Sequence, residues 1–563
     1  MARGLHLAEL PVSWSGGAAM RGYSLLGLVG TAGLLALVHC GGADAEEFPA
    51  EPSDSPDGAP GGAAGGGGSG GGFPTSGSGA SPGAGGRPPE QERDGTFLAP
   101  VATGRYLWAA NPQSGRVARI DAITFQVSTV QAGFGPTHLV AVPTDVPGED
   151  RALVINTGSN DATLLRAEAN GSLSTETLAV HRGATAWAVS PRGRWAIAWT
   201  PAVGAPDPTE GYQDVTVVDL GAEPPETIRL SVGFRPTRAF VASDETRAFF
   251  VTESGLSVID LDPELGPSVS RDFAVSPNPL EDVALDVSVV PDGTLALVRR
   301  EGVGELGLVS LETGELRSIT LPGAITDLDL TADGSAAIAV VRDASYVAVV
   351  RTAEIFDDPT AFASVTIDGG DFGSVVAAEN ASAALLYTNS APSERVTILD
   401  LRAGTSFLSH RAVSVAVPVA SALIAPDGAH GIALLDSPSK PGAFAALPVG
   451  KTLPPKIQSA DAPLAQVAFA PAGTDGASRR AIITERSDVK RSWGVWLVRF
   501  PTLQADRFSL ASPPLAAGMV AEADRGWVAQ EHPEGRITFV DLETGALRTL
   551  TGFELGARVQ DGN

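Results

Sequence analysis

The sequence predicts an all-β chain: a β-propeller of four-stranded antiparallel blades, preceded by a signal segment and a disordered linker. Three observations predict it. An apolar run ends at the only cysteine, a tract of glycine, proline and serine follows, and the rest of the chain repeats itself roughly every 46 residues.

Residues 1–39 read as a signal peptide. Arg21 supplies a positive charge, and Leu25 to Val38 supply an apolar core shorter than the roughly 20 residues that span a bilayer. The stretch before Met20 carries His6, Glu9 and Trp14, unlike an export signal, which points to Met20 as the true start. Cys40 has no second cysteine to pair with, and zinc needs about four ligands, so a covalent fate remains. The segment Leu37-Val38-His39-Cys40 resembles the lipobox of bacterial lipoproteins. That resemblance implies cleavage before Cys40 and lipidation of its thiol. With Gly41 and Gly42 following instead of aspartate, it also implies an outer-membrane address, at the cell surface or facing the periplasm. His39 departs from the Gly, Ala or Ser of that family, and an ordinary secretory signal cut elsewhere is the alternative.

Residues 40–95 form a tether, with the glycine run Gly65 to Gly68 and prolines from Pro49 to Pro89. Such a composition buries too little apolar surface to offset its ordering entropy. Flexible-coil statistics give it a mean reach on the order of 40 Å.

Residues 96–563 carry the repeats. One recurring piece is a strand ending in Asp-Leu and a turn: Val215 to Leu220, Leu256 to Leu261, Val396 to Gly404, Ile537 to Gly545, and Leu306 to Gly314 with Ser310 in place of the aspartate. A second piece is two apolar strands around a Pro/Asp/Gly turn, as in Val287 to Val298, Leu328 to Val340 and Ala422 to Leu434. Asp-Gly supplies the positive φ of a tight hairpin. Counting first strands near Tyr106, Ala152, Trp195, Ala248, Leu295, Ala336, Ala384, Ile432, Ala481 and Trp527 gives about ten units. One ring of eight to ten blades is favoured over two smaller rings, closed by the N-terminal strand near Phe97 to Thr103 lying beside the last blade.

The repeats resemble the YVTN-type, lactonase-like and WD40-like propellers. The match is plainest in Tyr106 to Asp121 and in Gly133 to Pro143, a piece repeated at Gly233 to Val241. The resemblance implies the fold over residues 96–563, and a lactonase-like enzyme as one function.

The chemistry is sparse. The five histidines of the repeat region, His138, His181, His410, His430 and His532, lie more than four residues apart, and no CxxC or HExxH occurs, so no metal site and no cofactor are expected. Aligning the two Gly-Phe-x-Pro-Thr pieces sets His138 opposite Arg238, a candidate polar site at the central channel. Asp121, Asp219, Asp260, Asp400 and Asp541 end their strands, where each can cap the following turn. Asp368-Gly369-Gly370-Asp371 lacks the spacing of an EF-hand. The tryptophans read mostly as packing, but Trp493 and Trp496 beside Lys490 and Arg491 form a candidate binding patch.

A net charge of −26 without a dense basic cluster disfavours nucleic acid as a partner. Two functions stay open: a non-enzymatic module binding or scaffolding a protein, peptide or glycan at the cell envelope, and an envelope enzyme of lactonase-like type. No catalytic residue is assigned.

Overall fold

The computed structural model describes residues 99–168, 170–203, 205, 207, 209–276, 285–402, 408–437, 439–552 and 558–559. The signal segment, Cys40, the tether and Phe97 lie outside the described residues. From residue 101 onward the chain forms ten antiparallel sheets in succession, each of four consecutive strands. These are the blades: 101–131, 136–179, 186–231, 238–273, 285–320, 327–366, 374–414, 419–460, 464–509 and 514–551.

Ten hydrophobic cores, one between each pair of neighbouring blades, make them a single ring. The two-residue period of a strand builds these cores, because alternate side chains leave by opposite faces. In blade 5, Leu295 and Leu297 join the core shared with blade 6. Ala296 and Val298, between and beyond them, join the core shared with blade 4. Each fully buried leucine contributes roughly 1.5–3 kcal/mol.

The ten apolar strands counted from the sequence are all present, but each is the second strand of its blade, not the first. They stood out because a second strand is covered on both faces and along both edges. Trp195–Trp199, for example, is buried at every position. The first strands, which approach one another around the ring's centre, are mostly half-buried and less uniformly apolar.

The N-terminal strand lies beside the last blade, against Pro514–Val520, as expected, but not within that blade's sheet. Val101–Thr103 is the first strand of blade 1 and pairs with Tyr106, Leu107 and Trp108, so it is not an added strand of the last blade. The ring closes by face packing. Trp527, Ile537 and Phe539 of blade 10 share a core with Leu107, Ala109 and Ile120 of blade 1. Arg558–Val559 then adds to the outer edge of blade 1, parallel to Ser128 and Thr129.

The turn chemistry follows the sequence. Asp292 accepts the Thr294 N–H at 3.0 Å and its hydroxyl at 2.7 Å, with Gly293 at φ 69° between them. Asp121, Asp219, Asp400 and Asp541 cap the turns after their strands through the N–H groups of Ile123, Gly221, Arg402 and Thr544, at 2.8–3.0 Å. After the strand ending at Asp260 this role passes to Asp262, which accepts the Glu264 and Leu265 N–H groups.

Candidate functional site

The first strands of blades 4 to 6, with Arg299 on the second strand of blade 5, carry a charged sector that bonds to blade 7. Arg238 of blade 4 donates to Asp286 of blade 5 at 2.7 Å, and Arg299 approaches the other oxygen of Asp286 at 3.5 Å. On blade 6, Asp327 accepts the N–H of Val375 at 2.8 Å, and Asp329 accepts that of Ala377 at 2.7 Å, both on blade 7. The second oxygens accept from Leu328 at 3.0 Å and Leu330 at 2.9 Å. The bonds from 238 to 286, 327 to 375 and 329 to 377 each span 48 residues, one blade repeat.

Burial raises the proton affinity of the two blade 6 aspartates. Desolvation first, then repulsion from Asp327, pushes Asp329 up to about 6 against its backbone hydrogen bonds. Asp327 is raised for the same first reason, with Arg299 opposing.

His138 and Arg238 both lie on first strands, Pro136–Val142 and Arg238–Val241, as the sequence alignment expects. They are not brought together, because blade 3 stands between them. The His138 carbonyl accepts the Trp187 indole N–H at 3.1 Å, and burial lowers the pKa of its ring. Arg238 turns the other way, to blade 5.

The candidate patch at Lys490, Arg491, Trp493 and Trp496 does not form as one surface. Trp493 and Trp496 are three apart in one strand, Ser492–Arg499, and an odd spacing sends them to opposite faces. Trp496 is buried against blade 8, its indole N–H on Glu485 at 2.8 Å. Trp493 packs on the side of blade 10 and donates to Asp488. Lys490 and Arg491 alone are exposed, at the hairpin turn.

An open groove of about 560 Å³ runs over blades 2, 3 and 4. Its walls are the turns after the first strands: Thr144, Asp145 and Val146 on blade 2, Arg192 to Arg194 on blade 3, and Asp244 to Thr246 on blade 4. Arg151, Leu220 and Leu261 complete it. The turn on blade 3 is Ser190-Pro191-Arg192-Gly193-Arg194, where blades 5 and 8 have Pro-Asp-Gly. That exchange of an acidic for a basic residue in the turn is the available sequence signal. The backbones meet tightly here: a Cβ on Gly193, at φ 74°, would stand 2.0 Å from the Pro143 carbonyl oxygen. Blades 2 and 3 are therefore in close backbone contact beside the groove. Among the described residues, no group of three or more His, Cys, Asp or Glu side chains is placed to hold a metal ion.

No family model matches the chain, and no curated protein matches it in sequence. Solved structures similar to it include the dihydro-heme d1 dehydrogenase NirN in complex with DHE, at 13% identity and a TM-score of 0.40, over 72% of this chain and 73% of that one. Apo AztD from Citrobacter koseri is 15% identical with a TM-score of 0.33, over 56% and 84%. The C-terminal WD40 domain of Sif2 is 12% identical with a TM-score of 0.34, over 55% and 82%. Strand pairing and closure define the class: a ten-bladed β-propeller of four-stranded antiparallel blades.

Proposed function

We propose that the chain is a non-enzymatic binding propeller of the cell envelope, carried on a lipid at Cys40 and held away from the membrane by residues 40–95. The observation that carries the binding role is the groove over blades 2 to 4. Its volume falls in the range of sites that enclose ligands, and it mixes apolar walls with fixed polar groups. The charged sector of blades 4 to 7 serves the ring itself, since each oxygen of Asp327 and Asp329 already accepts a backbone N–H.

One observation favours a second reading, an envelope enzyme. The raised proton affinity of Asp329 on a first strand suits a general acid. The two readings separate experimentally. The full chain with Cys40→Ser, used as bait on envelope extract, should capture a ligand, and Thr246→Trp, which fills the groove, should abolish capture while Asp329→Asn leaves it intact. Capture unaffected by Thr246→Trp removes the groove from the account. The same Cys40→Ser variant should move from the membrane to the soluble fraction, and unchanged membrane retention would refute the anchor.

A further inference from the structure

A small cavity of about 30 Å³ lies at the junction of blades 2 and 3 and shares no residue with the groove. Ile155 and Asn156 of blade 2 line it, with Val180, His181, Gly183 and Ala184 of the segment that leads into blade 3. Two polar atoms of this lining, Asn156 Oδ1 and His181 Nε2, are buried and have no hydrogen-bond partner among the described residues. Asn156 is 0% and His181 4% exposed. A polar group left unmet at that depth is costly, and two beside one cavity call for a common partner.

The rest of each side chain is already engaged. The Asn156 amide donates to Asp161 Oδ1 at 2.7 Å and to Thr163 Oγ1 at 2.9 Å, which identifies its nitrogen as the bonded end and its oxygen as the free one. Gly133, which opens the first Gly-Phe-x-Pro-Thr piece, packs so tightly here that a Cβ on it would stand 2.5 Å from Asn156 Nδ2. On the other side, the Thr216 hydroxyl oxygen accepts the His181 backbone N–H at 2.9 Å and lies 3.0 Å from Nδ1. Burial keeps the ring neutral, lowering its pKa to about 4, so it carries a single N–H. With that proton on Nδ1, the Thr216 hydroxyl would have no acceptor among the described residues. With the hydroxyl donating to Nδ1, the proton belongs on Nε2. The cavity then offers one donor and one acceptor.

The second copy of the piece, on blade 4, shows the alternative. There Gly233 packs on Thr252, which ends the second strand as Asn156 does on blade 2. The Thr252 hydroxyl donates to the Gly255 carbonyl at 3.1 Å, within its own hairpin.

We infer that the cavity between blades 2 and 3 binds one internal water molecule, which accepts from His181 Nε2–H and donates to Asn156 Oδ1. Its volume matches one water, and the two groups supply the partners an internal water needs. A cation would face the positive end of Nε2–H, and an apolar atom would leave both groups unmet. The bound water completes a hydrogen-bonded chain from Asp161 through Asn156 and His181 to Thr216, joining blade 2 to blade 3. The site is a property of the ring and is independent of the binding role proposed above.

Water-oxygen magnetic relaxation dispersion on the full chain counts water molecules held for longer than the protein tumbles. His181→Phe keeps a ring but removes the donor, and should lower the count by one. His410→Phe, on an exposed stretch of blade 7, should leave the count unchanged. In the unsubstituted protein, ring nitrogen shifts should place the His181 proton on Nε2. Its ring hydrogens should also show a nuclear Overhauser contact to water with the sign of a long-lived molecule. These two readings need no substitution and decide the matter if His181→Phe does not fold. An unchanged count in folded His181→Phe, a proton on Nδ1, or no water contact at the ring overturns the inference.

Discussion

Asp329 of blade 6 accepts the backbone N–H of Ala377 on blade 7 at 2.7 Å, so a carboxylate stitches two neighbouring first strands together. Its cost is charge. With a native pKa of about 6 against an ordinary 3.8, the folded state binds more protons than the unfolded state between those values. The stability it contributes is complete below 3.8 and is lost as pH rises through 6. From pH 4.5 to 7.5 that loss is on the order of 2 kcal/mol. Asp329→Asn should remove it, so that urea unfolding shows the variant gaining about 2 kcal/mol over wild type in the difference between the two pH values. An unchanged difference would mean that the carboxylate titrates normally.

His181 works in the same window with opposite sign. It is 4% exposed, and the Thr216 hydroxyl both accepts its backbone N–H at 2.9 Å and meets its Nδ1 at 3.0 Å. Burial lowers its pKa to about 4, so the ring stays neutral in the folded state while the unfolded chain takes up a proton. Its contribution is present above 6.5 and lost as pH falls through 4, about 2 kcal/mol between pH 7.5 and 4.5. His181→Gln should flatten that term and leave the Asp329 slope exposed. The two variants should therefore tilt the pH–stability curve in opposite directions, and tilts of the same sign would contradict one of the two assignments.

These stitches explain what the sequence disclosed. Blade number was legible because the second strand of each blade is buried on both faces and so carries an apolar stretch, as in Trp195 to Trp199. The turn caps were legible because an aspartate at a strand end accepts the N–H groups of its own next few residues. The inter-blade bonds were not, since Asp329 and Ala377 meet only once two whole blades have formed. Strand parity separates the rest. Trp493 and Trp496 look like one patch on paper, yet their spacing sends one to each side of the blade. The groove stayed hidden for a related reason: Arg151, Arg192 and Glu245 are far apart in the chain and become neighbours only when three turns converge.

That convergence makes Gly193 demanding. A methyl group there would stand 2.0 Å from the Pro143 oxygen, and the backbone sits at φ 74°. Gly171 shares the left-handed backbone, at φ 86°, but faces open space. Gly171→Ala should cost about 1 kcal/mol from conformation alone, and Gly193→Ala about 3 kcal/mol or more, because blades 2 and 3 must separate. Thermal unfolding of the two variants measures the difference. Equal losses would show that the turns yield to each other, and that the groove floor is softer than its packing suggests.

Ring closure gives the sharpest contrast. Phe539 is 1% exposed in the core joining blade 10 to blade 1 and meets Phe125 edge-on at 5.5 Å. Phe539→Ala should cost about 3–5 kcal/mol. Ending the chain after Gly552 removes, among the described residues, the short parallel pairing of Arg558 and Val559 with Ser128 and Thr129, on an outer edge. That truncation should cost less than Phe539→Ala by at least about 2 kcal/mol in urea unfolding, since a buried aromatic outweighs two pairs at a sheet margin. The reverse order would place the closing contact in the C-terminal strand. Face packing would then be a consequence of closure instead of its cause.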